Sequence, residues 1–168
     1  MDELNLPRLL TSQYRASLAM LRQAIEICPE DLWLASGYHN KFWHVAYHAV
    51  FYTHFYLQDS QANFRAWVKH QPDSQFLGPR PWAPNEAPAL VNPYSRTEVL
   101  EYHRHCCEEV ESRVPVLELS AASGFYWLPF NKMELQLYNI RHLQHHTAQL
   151  TDRLRSVAGV GVGWVIAG

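Results

Sequence analysis

Cysteine is scarce in this chain: three in 168 residues, with Cys28 alone and Cys106 adjacent to Cys107. An odd count, an adjacent pair and no Cys-x-x-Cys exclude a disulfide framework. Reduced, partly buried thiols in a cytoplasmic protein are expected instead. Charge is also sparse. Charged residues make up 18% of the chain, the formal net charge is −2, and no basic run occurs, so nucleic acid is not an expected partner. No apolar stretch approaches the roughly 20 residues that span a bilayer, so no membrane association is expected. Met1-Asp2-Glu3-Leu4-Asn5 lacks the charged-then-apolar order of a signal peptide. The loops that mark many catalytic folds are missing too. There is no Gly-x-Ser-x-Gly elbow, no phosphate loop and no dinucleotide fingerprint.

What is present is apolar and helical. Apolar residues make up 48%, and a chain of this length buries a sizeable core as one domain, residues 1–168. Leu10, Tyr14, Leu18, Leu21 and Ile25 recur at three- and four-residue steps and predict a helix from Leu9 to Ile27. Cys28-Pro29-Glu30-Asp31 ends it, because proline disfavours helix in the residue before it. Lys41 to about Gln58 is apolar almost all round, and its length without a turn signal favours a buried helix over a strand. Residues 59–94 carry six of the ten prolines and lose periodicity, apart from a short helix expected near Asn63 to His70. Ser95-Arg96-Thr97-Glu98 is a capping box. The helix behind it reaches about Leu119, with Pro115 able to kink it. Asn131-Lys132-Met133-Glu134 caps a last helix that runs to about Val157 and stops before Gly159. Four long helices follow: an all-α, four-helix bundle with a long proline-rich crossover between the second and third. The apolar tail, Val160 to Gly168, is expected to pack on the domain.

Ten histidines occur, and five of them fall in two segments, Phe42 to His48 and Arg141 to His146. Each segment offers histidines at i, i+4, which share one helix face. Imidazole is the commonest protein metal ligand. On the last helix, Leu143, Leu150, Leu154 and Val157 define the core stripe. His146 falls beside that stripe and His142 at its border, while His145 falls with Glu134, Arg141 and Asp152 on the polar side. Two inward imidazoles need partners, which a metal or hydrogen-bond acceptors would supply. His44 and His48 both have access to the last helix, and His54 lies about 120° from His48. His103 and His105 point to opposite sides of their helix and read as solvent-facing or packing residues. The spacing His142-x-x-x-His146 is not a metalloprotease motif, because Leu143 stands where the general base belongs.

The aromatic-rich Phe42-Trp43-His44-Val45-Ala46-Tyr47-His48 and the later Asn139-Ile140-Arg141-His142-Leu143-Gln144-His145-His146 resemble the DinB-like superfamily, which includes YfiT-type metal-dependent hydrolases. The resemblance covers most of the chain, including its Trp-containing tail. It implies an up-up-down-down bundle, frequent homodimers, and three histidines from the second and fourth helices around a divalent metal. Matching positions are His48, His142 and His146, with His44 as a reserve candidate. Relatives include thiol-dependent S-transferases and an isomerase, so a small-molecule substrate and a low-molecular-weight thiol are implied.

Three neutral imidazoles leave a divalent site near +2. With zinc this favours ionisation of water or thiol near neutral pH. Nickel and iron suit the same donors. Asn139 and Gln149 are candidates to orient the ligating imidazoles, and the segment 72–93 or Trp164 to cover the pocket mouth. The leading expectation is a metal-dependent enzyme acting by thiol transfer or hydrolysis. The competing one is a non-catalytic metal-binding or stress-related bundle.

Overall fold

The computed structural model describes residues 5–90 and 92–168, so the leader reading at Met1 to Leu4 falls outside it. The described residues are helical, without strands. Five helices occur: α1 (Leu6–Ile27), α2 (Glu30–Trp33), α3 (Phe42–Tyr56), α4 (Arg96–Arg113) and α5 (Lys132–Arg153). The four long ones pack in a ring. α3 lies against both α4 and α5, and α1 lies against the same two.

Local chemistry sets the boundaries. Asn5 Oδ1 accepts from the Arg8 N–H at 3.0 Å and starts α1. The sequence did not suggest α2. Pro29 ends α1, but its fixed φ also sits well before a new helix, and Glu30 and Asp31 favour that helix's N-terminus. The capping box forms as expected, with the Glu98 N–H donating to Ser95 Oγ at 3.3 Å and the Ser95 N–H to Glu98 Oε2 at 2.9 Å. Pro115 does more than kink α4. The α-helix stops at Arg113 and continues only as a tight turn, Val114–Val116. Asn131 Oδ1 accepts from the Glu134 N–H at 2.9 Å and starts α5. That helix widens over Leu154–Ala158 and closes at Gly159, φ 65°.

The expected helix near Asn63 to His70 is absent, and among the described residues between Tyr56 and Arg96 only turns, bends and one isolated bridge, Arg80 to Ala83, occur. The reason lies in its aromatics. Phe64 packs on Phe55 of α3 at 4.8 Å, while Trp67 stacks on Tyr102 of α4 at 4.8 Å. Anchoring them to different helices keeps the segment from winding into a helix. Tyr94 pins it further: its hydroxyl accepts from the Gln71 N–H at 2.7 Å and donates to the Lys69 carbonyl at 2.8 Å. The crossover is thus an ordered layer on the helices.

Two contacts fix α5 against the end of α3. The Lys132 ammonium donates to the carbonyls of Gln58, Asp59 and Ser123 at 3.4, 2.9 and 3.2 Å. Gly124 passes so close to Asp59 that a Cβ there would meet its carbonyl oxygen at 1.9 Å, and its φ of 86° also favours glycine. The C-terminal tail, expected to pack on the domain, does so only at points: Trp164 and Ile166 stand exposed. Val162 is buried, and the Gly163 N–H donates to Gln23 of α1 at 2.9 Å. No described helix is long and apolar enough to cross a membrane.

Candidate metal centre

α3 and α5 run against each other, and their facing sides carry His48, His142 and His146. His142 and His146 stand one turn apart on α5, the i, i+4 arrangement that puts both rings on one face. The His142 Nε2 lies 3.1 Å from His48 Nε2 and 3.2 Å from His146 Nε2. All three ligand atoms lie within 4.8 Å of one another. His146 is 7% exposed, and the other two are half-buried.

The remaining ring nitrogens decide which atoms are free. His48 Nδ1 lies 2.6 Å from the Gln75 carbonyl, which only accepts, so Nδ1 carries the proton and donates. His146 Nδ1 lies 2.9 Å from Gln149 Oε1 and donates likewise, while Gln149 Nε2 turns to His145 at 3.1 Å. Both hydrogen bonds leave an Nε2 lone pair aimed at the cluster. His142 Nδ1 is buried without a hydrogen-bond partner. Its ring is held instead by Tyr52 and Tyr138, at centroid distances of 5.4 and 6.4 Å. A proton on His142 Nε2 would serve two neighbouring lone pairs at once. A cation at the common point serves all three. Tetrahedral Zn–N bonds of ~2.0–2.1 Å put donors roughly 3.3 Å apart, close to the spacings observed. The residues therefore fit a divalent metal.

The electrostatics point the same way. Burial, reinforced by His146 and His142, holds His48 well below the ordinary histidine range. Burial, helped by His146 and His145, pushes His142 down to about 3. Burial lowers His146 too, opposed by its bond to Gln149. All three are neutral at neutral pH, the state a metal requires.

His145 faces solvent, as its polar side predicted. His44 stays outside the cluster. It is buried, stacks on Trp43 at 4.9 Å, and its Nε2 has no hydrogen-bond partner. Trp43 and His44 line a separate cavity of about 660 Å³ under Phe76, Leu77, Pro84 and Pro88. Gln149 orients His146, as its position suggested. Asn139 does not serve the histidines; its amide donates to the Thr53 carbonyl at 3.0 Å and ties α5 to α3. The proline-rich segment does reach the site, through the Gln75 carbonyl. Trp164 stands 78% exposed and gives no cover. The Gln75 contact had no signal in the sequence, because a backbone carbonyl carries no residue identity. His103 is a packing residue whose Nε2 donates to the Leu18 carbonyl at 2.8 Å. The cysteines are free, Cys28 and Cys106 buried and Cys107 partly so. Cys107 meets His103 Nδ1 at 3.7 Å, and burial pushes its thiol up to about 11, which makes it a poor nucleophile.

No family model, curated protein or solved structure matches the chain.

Proposed function

We propose that the chain is a DinB-like, metal-dependent enzyme acting on a small molecule, of the thiol S-transferase or hydrolase type. The observation that carries this reading is the convergence of three Nε2 lone pairs, from His48, His142 and His146, on one point between α3 and α5. The reading includes an up-up-down-down bundle, a homodimer and a cytoplasmic setting. Zinc, nickel or iron is the resident ion.

A bound divalent ion supplies Lewis acidity, which promotes ionisation of a water or thiol near neutral pH. The chain's own residues do the rest. The Gln75 carbonyl and Gln149 Oε1 each hold an Nδ1 proton and so keep His48 and His146 in the ligating tautomer. Tyr52 and Tyr138 flank the His142 ring. The cavity beside Trp43 and His44 begins one helical turn from His48 and takes the body of the substrate.

The test is metal content and turnover of tag-free protein. His48→Ala is expected to lose one equivalent of metal per chain while keeping its far-ultraviolet circular dichroism. It should also lose turnover of a panel of thiol-plus-electrophile and ester substrates. Unchanged metal content removes His48 from the site. Loss of metal with turnover intact removes the metal-dependent reading, and metal bound by wild type with no turnover of any substrate in the panel leaves a non-catalytic metal-binding bundle.

A further inference from the structure

α3 presents a second imidazole to a different helix. His54 follows His48 by six residues, about 120° around the helix at 3.6 residues per turn. It therefore turns away from the three-histidine cluster and faces α4. There it meets His105 and Glu109, themselves an i, i+4 pair on one face of α4. One ligand atom from each of the three lies within 4.8 Å of the others. The layout repeats that of the first cluster: one side chain from α3, and two from a single face of the helix opposite.

We propose that His54, His105 and Glu109 form a second divalent-metal site, with open positions that accept a small anion. His54 is 2% exposed, and its Nδ1 lies 3.0 Å from the Tyr102 hydroxyl. With Nδ1–H donating there, the Nε2 lone pair faces Glu109, whose Oε2 lies 3.7 Å away. Gln58 and Arg113 both donate to that same Oε2, and Oε1 takes no hydrogen bond among the described residues. Two imidazoles and a carboxylate suit Fe(II), Mn(II), Co(II) or Zn(II). They halve the charge that three neutral imidazoles leave on a divalent ion.

The open side is a cavity of about 460 Å³ lined by Arg65, Trp67, Lys69 and Arg104, among others. Lys69 pairs with Glu101, Arg104 with Glu108 at 3.9 Å, and Arg113 with Glu109. Arg65 has no carboxylate partner among the described residues; it donates only to the Ala62 and Phe64 carbonyls, at 3.5 and 3.2 Å. A metal plus an uncommitted guanidinium favours an anionic ligand such as a small carboxylate.

The second site stands independently of the first, and one experiment separates them. Co(II) uptake is measured by equilibrium dialysis on wild type, His142→Ala/His146→Ala and His105→Ala/Glu109→Gln. Helicity is checked by circular dichroism, with His105→Ala alone as the milder variant. Two equivalents in wild type and one in each double variant are expected. In His142→Ala/His146→Ala, azide should shift the Co(II) visible spectrum. No uptake by that variant, or wild-type uptake by both His105→Ala/Glu109→Gln and His105→Ala, overturns the second site. An absent azide response overturns its open positions. One equivalent in wild type, lost only with His105 and Glu109, keeps the second site and overturns the first.

Discussion

A buried neutral imidazole is a ligand, and it is also a stability liability when acid is added. His54 is pushed down to about 4 and His142 to about 3, in each case chiefly by burial. In the unfolded chain both return to roughly 6.5. As pH falls below that value the unfolded state takes up protons that the folded state refuses, so stability drops. The loss begins below the unfolded value and ends as the folded values are passed. Each group contributes at most about 1.4 kcal/mol per pH unit within that window. Metal-free protein in EDTA is therefore expected to lose roughly 2–3 kcal/mol between pH 6 and pH 5 from these two residues. Urea midpoints at the two pH values check this, and His142→Gln should make the slope shallower. A flat profile over this interval would mean that these rings are not buried as neutral groups.

Between elements, one buried side chain, Lys132, binds three carbonyls where α3 ends and α5 begins. A cation near a helix C-terminus is favourable, and hydrogen bonds from charged donors are worth ~1.5–3 kcal/mol. Lys132→Met keeps the aliphatic stem but leaves the three carbonyls unpaired. The expected cost is about 2–3 kcal/mol in urea unfolding; a change below about 0.5 kcal/mol would show that water replaces the ammonium without loss. No periodicity marked Lys132, because its partners are backbone oxygens far away in sequence. The same limit explains most of what the sequence left hidden. The four long helices were legible, since Tyr14, Leu18, Leu21 and Ile25 repeat at helical spacing and Ser95 and Asn131 carry their caps in side chains. The inward turn of His146 and the outward turn of His145 were legible from the same periodicity. α2 was hidden because Pro29 both stops one helix and starts another. The 63–70 segment misled because Phe64 and Trp67 sit at helical spacing while tertiary anchors pull them to different helices.

For the whole molecule, the three-histidine cluster is a cross-link. It joins α3 to α5, and each of these also packs on a third helix of the ring, α4 for α3 and α1 for α5. A ligand that binds only the folded state stabilises all elements that must separate on unfolding, by about 2.7 kcal/mol at a free concentration of 100 times its Kd. For a chain of this size one kcal/mol moves Tm by roughly 2–4 °C. Zinc at that excess over the three-histidine site is therefore expected to raise Tm by about 5–10 °C through that site, and EDTA should reverse the shift. Because α3 is shared by both candidate sites, His48→Ala should reduce the zinc shift without abolishing it, whereas His54 and its partners account for the remainder. Differential scanning calorimetry reads both the shift and its shape. A single transition that moves as a unit fits a cross-link inside one cooperative core. An equal shift in His48→Ala and wild type would place the stabilising ion elsewhere and sever the cluster from the stability of the bundle.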